Sequence, residues 1–459
     1  MPGWAKPHNA ISSRPAGAGR GRGPAVSLTA AVAADTVRGP RSRREPSGCR
    51  VSWQATIANL PSIEVRPGRL FGLLWVALAP VAVFAPGGTV VLLAAAALVL
   101  AASGPARRAT LRLGAQPPAV VLIAFLAWAA VASLWAPDPG RSLFLAARCA
   151  LLFAGGLVLV AAAAEMAAAE RRQAIGGLIA GGALLLALLV FEEATGALLT
   201  RLLRGLDAAG LETATKGAPL ARGGTLLALF AWPVLLAATR RLDRRLAAAT
   251  VPAIVVVLYA QATDTPILAF ALAAAAFGVV YAWPRPALAL LFAGLAVVVA
   301  VAPLLAAQLP APAEAAGWVA DLPASWRQRV EIWRFTAERI AERPLLGWGF
   351  DSARALGDPM SLHPHDFALQ VWLELGAPGV LLALAFAALL WRRLGAWAAD
   401  RAAVGAAAAA LTAYLVFALL SRGAWQEWWL AAAWLLAAAL VVTAPPSQQP
   451  GRRSSAPRP

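Results

Sequence analysis

Apolar runs of about 17–25 residues recur between Leu70 and Thr443, separated by short polar turns. That is the length a helix needs to cross the hydrocarbon core of a bilayer. A soluble core of this size would instead show one-sided helical periodicity or alternating strands. The pattern predicts spans at about 70–85, 89–103, 118–136, 143–164, 174–191, 223–239, 247–261, 266–283, 287–306, 367–390, 402–420 and 425–443. The backbone of such runs must satisfy its own hydrogen bonds, and a helix does so. The expected fold is therefore all-α, a polytopic membrane protein of about twelve transmembrane helices.

Charge placement orients the spans. With the N-terminus on the cytoplasmic side, the inside loops carry Arg107, Arg108, Arg112, Arg171, Arg172, Arg240, Arg241, Arg244, Arg245, Arg285, Arg392, Arg393 and Arg401. The short outside loops at 86–88, 137–141, 262–265 and 421–424 carry only Arg141 and Arg422. This alternation follows the positive-inside rule and places both termini in the cytoplasm.

Composition agrees. The chain is 60% hydrophobic, far above the usual soluble share. Its net charge of +17 could suggest nucleic acid, but the arginines gather in the tails and in short loops between spans, so membrane lipids are the expected surroundings. Lys6 and Lys216 are the only lysines, which together with heavy Ala, Gly and Pro usage fits a GC-rich bacterial genome. Residues 1–68 read as a disordered basic tail, an upstream mis-assigned start or a transit peptide, and 444–459 as a second disordered tail. Cys49 lies in the first tail and Cys149 in a span, so neither a disulfide nor a metal site is expected.

Two outside loops are long, at about 192–222 and 307–366, and long loops call for a functional explanation. The second holds two of the three histidines of the chain. Within it, Ser325 to Glu342 reads as an amphipathic helix with Val330, Trp333, Ala337 and Ile340 on one face. Arg327, Arg334 and Glu338 share the polar face, and Arg329 sits at the edge. Gly347-Trp-Gly349 is expected to form a flexible turn, and Pro359 and Pro364 to stiffen the approach to His365.

Three segments carry a resemblance: Arg329-Val-Glu-Ile-Trp333, Pro344-Leu-Leu-Gly-Trp-Gly-Phe350, and His363-Pro-His-Asp366 continuing to Gly376 and Gly379. Together they resemble the O-antigen ligase and polymerase family of bacterial envelope glycosyltransferases. Ser133-Leu-Trp-Ala-Pro-Asp138 and Ala221-Arg-Gly-Gly224 are weaker echoes, so the likeness runs from about residue 120 to 390. It implies the bacterial inner membrane and a periplasmic active loop at 307–366, flanked by spans in 69–306 and 367–443. It also implies transfer of a glycan from undecaprenyl diphosphate to a hydroxyl acceptor, either lipid A–core or another glycan. One position departs from the family pattern: Asp366 stands where Asn is usual.

The chemistry makes two demands. The leaving diphosphate needs positive charge, which arginine supplies through a fixed fork of donors. The attacking hydroxyl must lose a proton, a task suited to histidine near neutrality. His365 is the candidate base, and His363 supports it. Arg222 and Arg329 are the leading diphosphate binders, with Arg334 and Arg354 in reserve. Trp333 and Trp348 are candidates for stacking on sugar or for interfacial anchoring. Asp366 is expected to raise the pKa of His365. No Asp-x-Asp or His/Cys ligand set stands in the outside loops, so no metal and no cofactor is expected. Arg148 and Glu374 lie inside spans, where they are expected to pair or to line the floor of the site. The sequence leaves ligase and polymerase open. A transporter of lipid-linked glycan is the reading from another class, though no internal repeat speaks for it.

Overall fold

The structure, a computed structural model, describes residues 63–215, 218, 220–261, 263–310, 317–360 and 362–444. Most of the predicted first tail, the last fifteen residues and Cys49 lie outside these. The described residues are helical and form sixteen α-helices with no strand. In chain order these are α1 Pro67–Phe84, α2 Thr89–Ala101, α3 Gly104–Gly114, α4 Pro117–Ala132, α5 Pro139–Glu165 and α6 Ala168–Ala194. Then come α7 Leu198–Arg204, α8 Ala208–Thr215, α9 Ala221–Arg241, α10 Arg244–Ala260, α11 Thr265–Ala282 and α12 Pro284–Ala307. The last four are α13 Ala324–Glu342, α14 Phe367–Gly395, α15 Arg401–Leu420 and α16 Glu427–Thr443.

Local sequence sets many of the starts. Proline opens α1, α4, α5 and α12, where its missing N–H costs nothing. Aspartate caps four starts, α5 again among them: Asp138 accepts from Arg141 N, Asp243 from Arg245 N, Asp366 from Leu369 N and Asp400 from Ala403 N.

Each of the twelve predicted spans is a helix, but not all twelve are long. Nine are long and apolar enough to cross a bilayer, among the described residues. The segment predicted at 89–103 is the clearest difference. Its helix α2 has 13 residues, about 20 Å of rise, and then bends by 109° into α3. Ser103-Gly-Pro105 and the arginines that follow break the apolar run there. Helices α10 and α16 have 17 residues each, the lower end of the spanning range.

Side-chain links tie the helix ends into two faces. On the arginine-rich face, Arg112 pairs with Glu165 at 3.2 Å, and Arg393 donates to Gln116 at 2.7 Å. Arg171 donates to the carbonyls of Val441, Val442 and Ala444, capping α16 with positive charge. Arg240 pairs with Asp400 there. On the opposite face, Arg141 pairs with Asp351 at 3.0 Å, Arg148 with Glu427 at 2.7 Å, and Thr89 donates to Trp428 O at 3.1 Å. All of these links join ends that twelve alternating traversals would put on one side.

Helices α9 and α15 are the most enclosed spans, with 78% and 67% of their apolar windows buried. A helix apolar on all sides belongs in the interior. Here α9 delivers Arg222 and Thr225, and α15 delivers the 421–426 turn, to one central place on the second face.

Candidate active site

The site is built around the break in α14. Gly376 lies at φ 61°, and Pro378 follows it without an N–H. The helix therefore cannot use the carbonyls of residues 373–375. Three donors take them: Trp348 N bonds Leu373 O at 2.8 Å, Gly349 N bonds Glu374 O at 3.1 Å, and Trp128 Nε1 bonds Leu375 O at 2.9 Å. In return, Ala377 N reaches Pro344 O at 3.1 Å. Backbone thus lies on backbone. A Cβ at Gly347 would sit 2.7 Å from the Glu374 carbonyl carbon, and one at Gly376 would overlap Leu345 O. The expected flexible turn at Gly347-Trp-Gly349 is instead a packed one. Its glycines are needed for positive φ and for close approach.

Glu374 completes this floor. It is fully buried and accepts from Asp351 N at 2.9 Å, Gln370 Nε2 at 3.0 Å and Trp425 Nε1 at 2.6 Å. The expected pairing with Arg148 does not form. Arg148 meets Glu427 instead, and three donors satisfy the carboxylate of Glu374. Gln370 Oε1 also accepts from Ala424 N at 2.8 Å. Glu374 and Gln370 therefore bind the 351 segment and the 421–426 turn to the first half of α14.

The His-Pro-His segment lies on this scaffold. Trp333 Nε1 on α13 holds Pro364 O at 2.9 Å. His365 takes a left-handed conformation, φ 57°, one that histidine adopts more readily than most residues. That turns its N–H onto His363 Nδ1 at 3.2 Å, with the two rings 4.3 Å apart. His363 is 6% exposed, and its Nε2 lies 2.9 Å from the Gln426 amide. Burial first, then His365, Arg354 and Arg422, depress the His363 pKa to about 3. His363 is thus a neutral prop at any physiological pH.

His365 is differently placed. Its Nδ1 is 3.1 Å from Ser421 O and donates to it. The tautomer is thereby fixed and Nε2 is left as the acceptor, with no hydrogen-bond partner among the described residues. Burial lowers its pKa; the Ser421 carbonyl opposes this, and Arg329 and Arg422 reinforce it. Asp366 is not among these causes. Its carboxylate caps α14, and burial raises its own pKa to about 6. The expectation that Asp366 raises the pKa of His365 is therefore overturned.

Arg329 and Arg422 act on this histidine, and Arg222 joins them beside Arg422. Arg222 and Arg422 both lie over the ring of Trp428, at 5.6 and 5.1 Å. Arg329, over Trp326 at 5.1 Å, completes the group. Burial first, then Arg222 and Arg329, depress the Arg422 pKa to about 10. None of the three is in an ion pair among the described residues. The neighbouring acids are engaged elsewhere: Glu427 by Arg148, and Asp351 by Arg141 and Arg354. The Nε–H groups of Arg329 and Arg422 are buried without a partner. Unsatisfied buried donors are rare and call for an explanation.

The other predicted residues are placed as supports. Arg334 bonds Glu338 and the Leu309 carbonyl, tying α13 to the end of α12. Arg354 neutralises Asp351. Trp348 gives its Nε1–H to Arg339 O at 2.8 Å and stacks under Arg343 at 4.1 Å. Arg422 is the residue that sequence reasoning missed as part of the site. The one available signal was that it stands among the few arginines in the short outside loops. Among the described residues, no three His, Cys, Asp or Glu side chains gather as a metal ligand set.

Residues 248–384 match the family model described as O-antigen ligase. This segment is similar to the O-antigen ligase family. A "Putative polysaccharide ligase" of Rickettsia bellii is 28% identical over 227 residues, 46% of this chain and 54% of that protein. One from Rickettsia prowazekii is 31% identical over 145 residues, covering 28% of this chain and 34% of its own length. One from Rickettsia conorii is 29% identical over 143 residues, with the same coverage. The chain thus spans about half or less of the curated relatives it matches. No solved structure matches it. The matched segment contains Arg329 and His365 but neither Arg222 nor Arg422, which the fold adds from outside it.

Proposed function

We propose that this protein is a membrane glycosyltransferase of the O-antigen ligase type. It moves a glycan from undecaprenyl diphosphate to a hydroxyl of lipid A–core at the periplasmic face of the bacterial inner membrane. The observation that carries this reading is the unneutralised group Arg222, Arg329 and Arg422, with two partnerless buried donors, around a histidine of fixed tautomer. Such a group in a low-dielectric site favours a polyanion strongly.

In this mechanism the arginines hold the diphosphate and stabilise the charge that develops as the sugar–phosphate bond breaks. His365 Nε2 accepts the proton of the attacking acceptor hydroxyl, and the Nδ1–H···O=C bond to Ser421 steadies the imidazolium that forms. His363 and Gln426 orient His365 through its backbone. Gly376 and Glu374 keep the 421–426 turn in register with the His-Pro-His segment.

The names of the relatives favour a ligase over a polymerase within this class. The experiment that separates them is deletion followed by envelope glycan analysis. Loss of all capped core supports the ligase; core capped with single repeats points to the polymerase. Transfer by purified protein that persists in EDTA supports the arginine mechanism. A restorable requirement for magnesium or manganese would refute it.

A further inference from the structure

Apart from Arg222 at its end, the long loop at 192–222 has no role in the chemistry above. Its described residues form α7 and α8 and, with the ends of α6, α9 and α10, border an open-mouthed cavity of roughly 320 Å³. That volume lies at the lower end of small-molecule sites. The cavity opens beside the first turn of α9, where Ala221 lines it and Arg222 follows at once.

Its polar lining differs in kind from the arginine group. Glu193, Glu212 and Gln261 supply acceptors, and Arg201 supplies donors. Glu192 is fully committed, accepting from Leu199 N and Thr200 N, both at 2.9 Å. Gln261 is 8% exposed, and its Nε2 is held by Glu193. Its Oε1 receives no donor among the described residues. Room for this amide exists because residue 224 is glycine: a Cβ there would lie 2.9 Å from Oε1. A carboxylate-rich lining disfavours an anion, while Gln261 Oε1 needs a donor and the buried, unpartnered Nε–H of Arg201 needs an acceptor. Sugar hydroxyls, which both donate and accept, satisfy such a mixed lining.

We infer that the cavity under the 192–222 loop binds a hydroxyl-rich sugar residue of a glycan substrate, through Glu193, Glu212 and Gln261. The inference rests on the glycan-transfer reading and adds a second subsite. The arginines take the anionic part of the substrates, and this cavity takes an uncharged sugar.

The test uses the full chain in lipid nanodiscs, free of glycoside detergent. Saturation-transfer NMR is run with free glucose, galactose, rhamnose and N-acetylglucosamine. At least one sugar is expected to receive saturation. Ala218→Trp, which fills the cavity, and Gln261→Leu, which removes the free acceptor, should each reduce the signal about fivefold or more, as for one lost hydrogen bond. Thermal stabilisation by inorganic pyrophosphate reads the arginine group separately and should be unchanged in both variants. Absence of saturation for all four sugars, or signals untouched in both variants, overturns the cavity assignment. Loss of the pyrophosphate effect from the wild type, with sugar binding retained, would overturn the diphosphate reading alone.

Discussion

Arg422→Gln separates a functional arginine from a structural one. In the free protein this guanidinium is held charged against burial and two other arginines, which lower its pKa from the ordinary arginine range to about 10. That opposition costs on the order of 3 kcal/mol at neutral pH. Against it stand one hydrogen bond to Thr225 Oγ1 at 2.6 Å, worth about 1 kcal/mol, and stacking on Trp428, worth roughly 1–2 kcal/mol. The substitution should therefore leave the free protein as stable as wild type, or more stable by about 1 kcal/mol. Transfer should fall steeply. The unpartnered Nε–H is a charged donor left for the ligand, and one such bond is worth roughly 1.5–3 kcal/mol, or about 10–150-fold in rate. The assay pairs initial rates of glycan transfer with thermal unfolding in the same nanodiscs, with and without pyrophosphate. Arg422→Lys should recover part of the rate, since it restores charge without the planar fork. Wild-type transfer by Arg422→Gln, or a loss of several degrees in Tm without ligand, would refute the reasoning.

Further outcomes are expected. His365→Ala should abolish most transfer and His363→Ala less; only neutral imidazole accepts a proton, so the acid limb for the wild type should lie below the ordinary histidine pKa of about 6.5. Arg329→Gln removes a cation that disfavours imidazolium, so its residual activity should show that limb at higher pH. Asp366→Asn keeps a helix cap and should leave the limb unmoved; a shift in pH–rate profiles of Asp366→Asn would return control of the base to this carboxylate. Gly376→Ala forces a side chain into Leu345 O at positive φ and should lower the yield of folded protein, read by size-exclusion of detergent extracts; wild-type yield and Tm would contradict the packed-turn account. Cysteine reporters at Asp358 should label from the periplasm and those at Leu242 and Gly395 should not; the opposite pattern would invert the proposed sidedness.

The helices were legible because each is a local matter. Apolar length, Pro at the first turn and Asp at the cap are written in adjacent residues, and the amphipathic stretch from Ser325 to Glu342 appears as α13, Ala324–Glu342. His365 and Arg329 were legible as candidates, because both lie within the same polar segment. The chain alone did not disclose what those residues meet. The pKa of His365 depends on burial and on Arg422, 57 positions away, whereas the adjacent Asp366 points into its helix cap. The partner of Arg148 is Glu427 rather than Glu374, since the break at Gly376 and Pro378 turns Glu374 toward Trp425 and the backbone of Asp351. Sequence spacing fixes which side chains share a helix face, through the 3.6-residue period. Electrostatics and hydrogen bonding fall off over a few ångströms in space, so only the packing of α9, α14 and the 421–426 turn decided which charges neutralise one another and left Arg222, Arg329 and Arg422 without an ion pair among the described residues.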